Sequence, residues 1–308
     1  MEISLYGSIA WRYPSGFGQA IEWARRHGWD SVDARGLSLD APGDRALIRN
    51  AFGYDMLGPR NIQKSARQQL RAALDDAGVS LLGIYCSSPV NLPGETGDTH
   101  RQVFCEYLEL AHDLGAPWVR SINNTLSTHQ AEDMSESEAY ERTVAGCRGV
   151  GPRAAALGVG LLLENNENTV TADAASLKRM KADVGDVCKV GITYDAVNAY
   201  FQGQDPEAGF HILEGEIDVL HVKNVRRHRD PRWDYMPRGD ASYEWTGLAD
   251  GDLDWASLIG RAKRGGFDGP IVFEYVNPFK GMPLAYWDQL REPEEAARVE
   301  AEFLRSVV

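Results

Sequence analysis

Cysteine is scarce in this chain: four in 308 residues (Cys86, Cys105, Cys147 and Cys188), none of them in a CxxC pair. That spacing excludes a disulfide framework and a thiolate zinc knuckle, and fits reduced thiols in a cytoplasmic protein. No run approaches the roughly 18 apolar residues a membrane-spanning helix needs. The opening MEISLYGSIAWRYP has no basic segment before an apolar core, so no signal peptide is expected. Positive charge is in deficit, 32 Lys and Arg against 45 Asp and Glu for a net −13. Such a balance argues against nucleic acid or an acidic membrane surface as partner. Neither GxGxxG nor GxxxxGK[ST] follows the first strand, so the phosphate loops of dinucleotide- and nucleotide-binding folds are missing there.

What the chain does contain is a repeated alternation. Short apolar runs at Ile3–Tyr6, Trp29–Asp33, Leu81–Tyr85, Trp118–Ile122, Val159–Leu163, Val190–Tyr194, Val219–Lys223 and Ile271–Tyr275 read as eight buried strands. Amphipathic helices are expected over 17–27, 61–77, 102–114, 137–157, 176–181 (capped near Thr171), 206–214, 255–264 and 293–307, most of them stopping at glycine. No linker composition divides the chain. Eight βα units in one domain over 1–308 predict a single (β/α)8 TIM barrel, the alternative being an open doubly wound sheet. Two polar stretches stand apart: 36–60, long enough for a lid, and 226–246, read as a loop.

In a barrel, the carboxyl ends of the strands share one mouth. The fifth strand ends at Glu164 (LLLEN), the sixth at Asp195 (TYDAVN), the seventh carries His221 (HVKN) and the eighth Glu274 (VFEY). Each has a plainer explanation: Glu164 can open a solvated loop, Asp195 can cap a helix, and His221 can be a core histidine. Glu274 after Ile-Val-Phe is harder to explain, because a carboxylate there is costly unless paired, solvated or metal-bound. Three carboxylates in one confined mouth repel, and a divalent cation relieves the repulsion. Oxygen donors with one imidazole suit Mn²⁺ first, with Mg²⁺ or Co²⁺ as alternatives.

These pieces, with DGDLDW at 250–255, resemble the xylose isomerase-like barrel superfamily, which includes ketose 3-epimerases, hydroxypyruvate isomerase, inosose dehydratase and endonuclease IV. The resemblance covers essentially the whole chain. It implies that Glu164, Asp195, His221 and Glu274 bind one divalent metal, and that Glu164 and Glu274 also do acid–base work. Two positions depart from the family pattern. Asn198 stands where ketose epimerases have the histidine of DxxH, and Asn224 ends what is often HxKD. Asn198 can still hydrogen-bond a substrate hydroxyl but cannot carry a proton.

The implied reaction is proton abstraction beside a carbonyl through a metal-stabilised enediolate, giving isomerisation or epimerisation of a sugar or cyclitol. Loss of a β-hydroxyl from the same intermediate would make the enzyme a lyase, either an inosose-type dehydratase or a C-glycoside-cleaving catalytic subunit with a partner subunit. A non-catalytic sugar-binding barrel is the reading from another class. Lys223, pointing the same way as His221, is a candidate for a substrate oxygen. Arg226 and Arg227 follow; by resemblance, one of them contacts distal hydroxyls, and a solvated basic patch is the alternative. Trp233, with Trp11, Trp118 and Trp245, offers a flat face for a sugar ring or else packs in the core. His129 is a spare acid–base candidate. A homo-oligomer is expected from the resemblance.

Overall fold

Helices of the alternating pattern stop where the sequence places glycine. Phe17–His27 (α1), Lys64–Ala77 (α2), Gly94–Leu114 (α3) and Glu136–Leu157 (α4) end at Gly28, Gly78, Gly115 and Gly158. At Gly158 the backbone takes φ 67° and ψ 21°, a left-handed conformation that would cost a residue with a Cβ about 1–2 kcal/mol. This turn feeds the chain straight into Gly160–Glu164. The structure, a computed structural model, describes residues 1–10, 13, 15–36, 57–86, 88–121, 134–167, 169–228, 237–238, 241–275 and 290–308.

The barrel strands are Ile3–Tyr6 (β1), Ser31–Arg35 (β2), Ser80–Cys86 (β3), Trp118–Ser121 (β4), Gly160–Glu164 (β5), Val190–Asp195 (β6) and Val219–Val222 (β7). Ile271–Phe273 completes the barrel and, in chain order, is β11. All neighbours pair in parallel in the closed order β1-β11-β7-β6-β5-β4-β3-β2, so the expected (β/α)8 barrel is what forms and the open sheet is not. Ala174–Val184 (α5), Ala196–Phe201 (α6), Pro206–Ile212 (α7), Trp255–Arg264 (α8) and Pro293–Val307 (α9) complete the helices used below. No helix among the described residues is long and apolar enough to cross a membrane.

Several expected boundaries move, each for a local reason. Helix α5 is capped by Asp173 rather than near Thr171: Asp173 accepts from Ser176 N at 2.7 Å and Ser176 answers in a capping box. Helix α3 begins at Gly94, not Gln102; its first turns carry too few apolar residues to show a periodic face, although Gly97 and His100 are buried. In the stretch read as a loop after β7, the described residues form sheet. Asn224–His228 (β8) pairs antiparallel with Ala241–Thr246 (β10), and Pro237–Arg238 (β9) lies on the far side of β10.

Inside the barrel, a separate apolar cluster of Tyr6, Leu82, Trp118, Leu162, Val219 and Val272 forms a floor. Trp118 is its largest member. A Cβ on Gly160 would lie 2.4 Å from the Trp118 ring and one on Gly191 2.7 Å, so both glycines leave space for the indole. The tryptophan is therefore a packing residue. Side chains alternate along a strand, so on β4, β5, β7 and β11 the residue two beyond the floor residue faces the same interior one layer higher. Trp118 is followed in this way by Arg120, Leu162 by Glu164, Val219 by His221 and Val272 by Glu274. The polar layer is a direct product of the pleat.

Candidate metal centre and its cleft

Residues in that upper layer are ionisable and almost wholly buried. Register places Asp195 opposite His221 and His221 opposite Val272, and Glu274, just past the end of β11 with its N–H on Val222 O, reaches the same mouth one layer higher. Glu164, Asp195 and His221 offer ligand atoms that all lie within 4.8 Å of one another, and all three residues are buried. Glu274 borders this group: its Oε2 is 3.7 Å from His221 Nδ1 and 2.9 Å from Lys223 Nζ.

Two buried cations answer the carboxylates. Lys223 Nζ stands 2.8 Å from Asp195 Oδ2 as well as 2.9 Å from Glu274 Oε2. Arg120 reaches Glu164 Oε2 at 2.5 Å and Asp33 Oδ2 at 3.2 Å. Burial works against the Lys223 charge, yet Asp195 and Glu274 hold its ammonium above the usual lysine range. Burial likewise opposes an ionised Glu274, but Lys223 and His221 keep that carboxyl well below its ordinary value. For Asp195 burial prevails and pushes the carboxyl up, against the pull of Lys223.

The donor set fits a divalent cation. Neither ring nitrogen of His221 makes a hydrogen bond, although both are buried, and they face carboxylate oxygens at 3.6–3.8 Å. Four carboxylates (Asp33, Glu164, Asp195, Glu274) surround two fixed cations (Arg120, Lys223), leaving two negative charges, which one dication balances. Against burial, the surrounding carboxylates draw the His221 imidazole toward its protonated form, so it would release a proton on giving a nitrogen to the cation.

The neighbouring polar residues hold the layer in place. Asp195 does cap α6, its Oδ1 accepting from Val197 N and Asn198 N at 2.9 and 3.0 Å, which leaves Oδ2 for the mouth. The helix-cap and site roles thus coexist in one carboxylate. Asn165 ties β5 to β6 by donating to Asp195 O and accepting from Asp195 N. Asn198 donates to Asn165 O at 2.9 Å while bordering the cleft. Asn224 does not face the metal layer. Its amide donates to Leu248 O and Leu253 O, its oxygen accepts from Leu253 N, and Trp255 Nε1 bonds Lys223 O. A Cβ on Gly251 would fall 2.3 Å from the Asn224 amide, so the DGDLDW turn is shaped to close on this residue.

Above the layer, Tyr6, Tyr85, Arg120, Glu164, Lys223 and Trp245 line one cleft. A second opens on the other side of Lys223, Trp245 and Glu274, and Arg226 lines it. Arg227, next along β8, is exposed, its backbone N–H held by Asp252. Trp245 packs edge-on with Phe201 and sits 5.8 Å from Lys223 Nζ, so it combines a core contact with a cleft wall. Trp11, His129 and Trp233 lie outside the described residues, as does most of the 36–60 stretch. The sequence reading passed over Arg120, whose signal was a lone charge in the apolar run Trp118-Val-Arg-Ser, and gave Asp33 no role.

Comparison with known proteins agrees with this architecture. The sequence profile of the xylose isomerase-like TIM barrel family matches residues 21–307. Inosose dehydratase of Geobacillus kaustophilus (strain HTA426) is 23% identical over 288 residues, 86% of this chain and 90% of that protein. The solved D-psicose 3-epimerase of Clostridium cellulolyticum H10 with D-tagatose superimposes with a TM-score of 0.73 at 15% identity, covering 100% of this chain and 99% of that one. The IOLI protein with a bound zinc atom gives 0.72 at 16% identity, covering 100% and 98%. At such identities the structural likeness speaks for the fold, while the profile spans nearly every residue. The chain belongs to the xylose isomerase-like TIM barrel family.

Proposed function

We propose that this protein is a divalent-metal-dependent isomerase or epimerase of sugars or cyclitols, working by proton transfer beside a carbonyl. One observation carries the reading: buried Glu164, Asp195 and His221 converge at the barrel mouth, with Glu274 and Lys223 beside them. Glu164, Asp195 and His221 would hold the cation with Glu274 completing the set, and Mn²⁺ is the first choice, ahead of Mg²⁺ or Co²⁺. When bound, the metal supplies Lewis acidity toward a carbonyl oxygen next to the carbon that is deprotonated.

The remaining work falls to side chains. Glu274 is the more accessible carboxylate, its side chain 16% exposed against 2% for Glu164. It takes the proton, and the pair Glu164 and Glu274 exchange it between the two faces or the two carbons. Lys223 keeps Glu274 ionised and offers its ammonium to a substrate oxygen. Trp245 supplies a flat wall, Asn198 a polar edge, and Arg226 contacts groups farther along a polyol chain.

Similarity to an inosose dehydratase, together with Asn198 where ketose epimerases carry histidine, supports a second reading in which the same proton abstraction ends in loss of water. Incubating the metal-loaded protein in D₂O with ketoses and inososes, followed by NMR, separates the two. Deuterium in a rearranged sugar supports isomerisation or epimerisation, and an unsaturated product supports the dehydratase. Binding without exchange or product across the panel would sink both and leave a sugar-binding barrel.

A further inference from the structure

Arg120 lies in the middle of a short strand, with only 4% of its side chain exposed, where an unpaired charge would be prohibitive. Its two arms part: Nη1 goes to Glu164 Oε2 and Nη2 to Asp33 Oδ2. Those same two carboxylates flank His221 on opposite sides, Glu164 Oε1 at 3.6 Å from Nδ1 and Asp33 Oδ2 at 3.8 Å from Nε2. Arg120, Glu164, His221 and Asp33 therefore form a closed ring drawn from β4, β5, β7 and β2.

Three details show that the ring is built. Strand β3 separates β2 from β4, and it carries Gly83 at the crossing, where a Cβ would stand 3.0 Å from Asp33 Oδ1. The missing side chain leaves room for Asp33 to lean across toward Arg120. The guanidinium carbon also lies 5.2 Å from the Tyr6 ring and 5.3 Å from the Tyr85 ring, so aromatic walls confine it. Finally, Glu164 is gripped by one oxygen only, which turns Oε1 toward the imidazole.

We propose that Arg120, braced by Asp33, is the positioning residue of the metal centre: it fixes the Glu164 carboxylate so that a single oxygen faces the cation. This rests on the metal reading above. A guanidinium suits the task because its planar fork spans two acceptors in fixed directions, which an ammonium cannot do.

Mn²⁺ titration calorimetry on the full chain tests the assignment, with circular dichroism verifying the fold of each variant. Wild type is expected to take one Mn²⁺ per chain. Arg120→Met should bind it about 10–100-fold more weakly, the usual effect of losing the outer partner of a metal ligand. The sign is informative, because deleting a positive charge would by itself strengthen attraction for a dication. Arg120→Lys, which keeps the charge and loses the fork, should also weaken binding. In a Glu164→Gln background, Arg120→Met should change affinity by less than about two-fold, since the group it acts through is already altered. Equal losses in both backgrounds, or an Arg120→Met variant that binds as well as or better than wild type, overturn the assignment. Should Arg120→Met fail to fold, Asp33→Asn keeps the side-chain shape and is read in both backgrounds, because losing a negative charge weakens dication binding by itself: a clearly larger loss beside Glu164 than beside Glu164→Gln supports the brace, and equal losses overturn it. A wild type that takes up no dication overturns the metal reading and this inference together; a wild type that loads alongside insensitive variants overturns this inference alone.

Discussion

Lys223 Nζ lies 2.8 Å from Asp195 Oδ2, and 2.9 Å from Glu274 Oε2 on its other side. One ammonium on the central strand of three thus holds the carboxylates of both neighbours. Breaking a buried pair strands the remaining charges, which typically costs about 3–5 kcal/mol. Lys223→Met should lower stability by that order in urea denaturation with chelator present. An unchanged midpoint would mean that the contact contributes nothing in solution.

Asp195 serves two structures at once, so its variants should separate. Asp195→Ala removes the α6 cap, worth about 1 kcal/mol, and a proposed metal ligand. Asp195→Asn keeps an oxygen able to cap but weakens the ligand. His221→Ala leaves the cap untouched. Metal analysis with thermal denaturation should find metal content reduced in all three, and a metal-independent loss of stability largest for Asp195→Ala. Full metal occupancy in His221→Ala would remove the histidine from the ligand set.

Glu274→Gln preserves shape and an oxygen donor while abolishing a base. Turnover of whichever substrate exchanges in D₂O should fall about 10²–10⁴-fold. A variant turning over at the wild-type rate would confine Glu274 to a ligand's role.

Neighbouring residues on a strand face opposite ways, and β8 puts Arg226 and Arg227 in different surroundings. Arg226→Ala should raise KM about ten-fold with kcat little changed, the mark of lost ground-state binding. Arg227→Ala should leave both unchanged. A wild-type KM in Arg226→Ala would show that this arginine does not touch substrate.

Glu300, which lines the second cleft together with Lys223 and Glu274, is buried against Leu248 N and Arg291, and burial lifts its carboxyl to about 7. A folded-state value above the unfolded one means that its contribution is complete below the unfolded value and disappears as pH rises through 7. Between pH 5 and 8 this accounts for roughly 2–3 kcal/mol. Glu300→Gln should flatten the stability profile in that window, read by urea denaturation at both ends. A variant profile as steep as the wild type's would assign the dependence to other groups.

Much of the mouth was legible from local pattern. Glu164, Asp195, His221 and Glu274 each interrupt or end an apolar strand, and once a barrel is inferred those ends must meet. Arg120 obeys the same rule in Trp118-Val-Arg-Ser, but its partners belong to β2 and β5, and that pairing exists only after the barrel closes. Lys223 was seen as a substrate contact, not as the clamp between two carboxylates, because the depth of a side chain in the mouth is set by register across three strands. The β8–β10 sheet escaped notice for another reason. Its strands carry charges such as Arg226, Arg227 and Glu244 that mask alternation, and its apolar face is explained only by Phe201 of α6 packing on Tyr243 and Trp245.

The Asn224 clasp has a consequence for how this mouth can change. The antiparallel excursion leaves the barrel at Asn224 and returns at Thr246, and those two residues are register partners. Asn224 then bonds both Leu248 and Leu253, while Trp255 secures the Lys223 carbonyl. The excursion is fastened to the barrel at this clasp and again where Tyr243 and Trp245 pack on Phe201. The Asn224–Thr246 register and the Trp255 bond therefore hold Lys223 independently of what the excursion carries beyond β8 and β10. On the proposed function, changes on β8 and β10 are expected to alter substrate preference while the ionised layer beneath stays in register and keeps its cation.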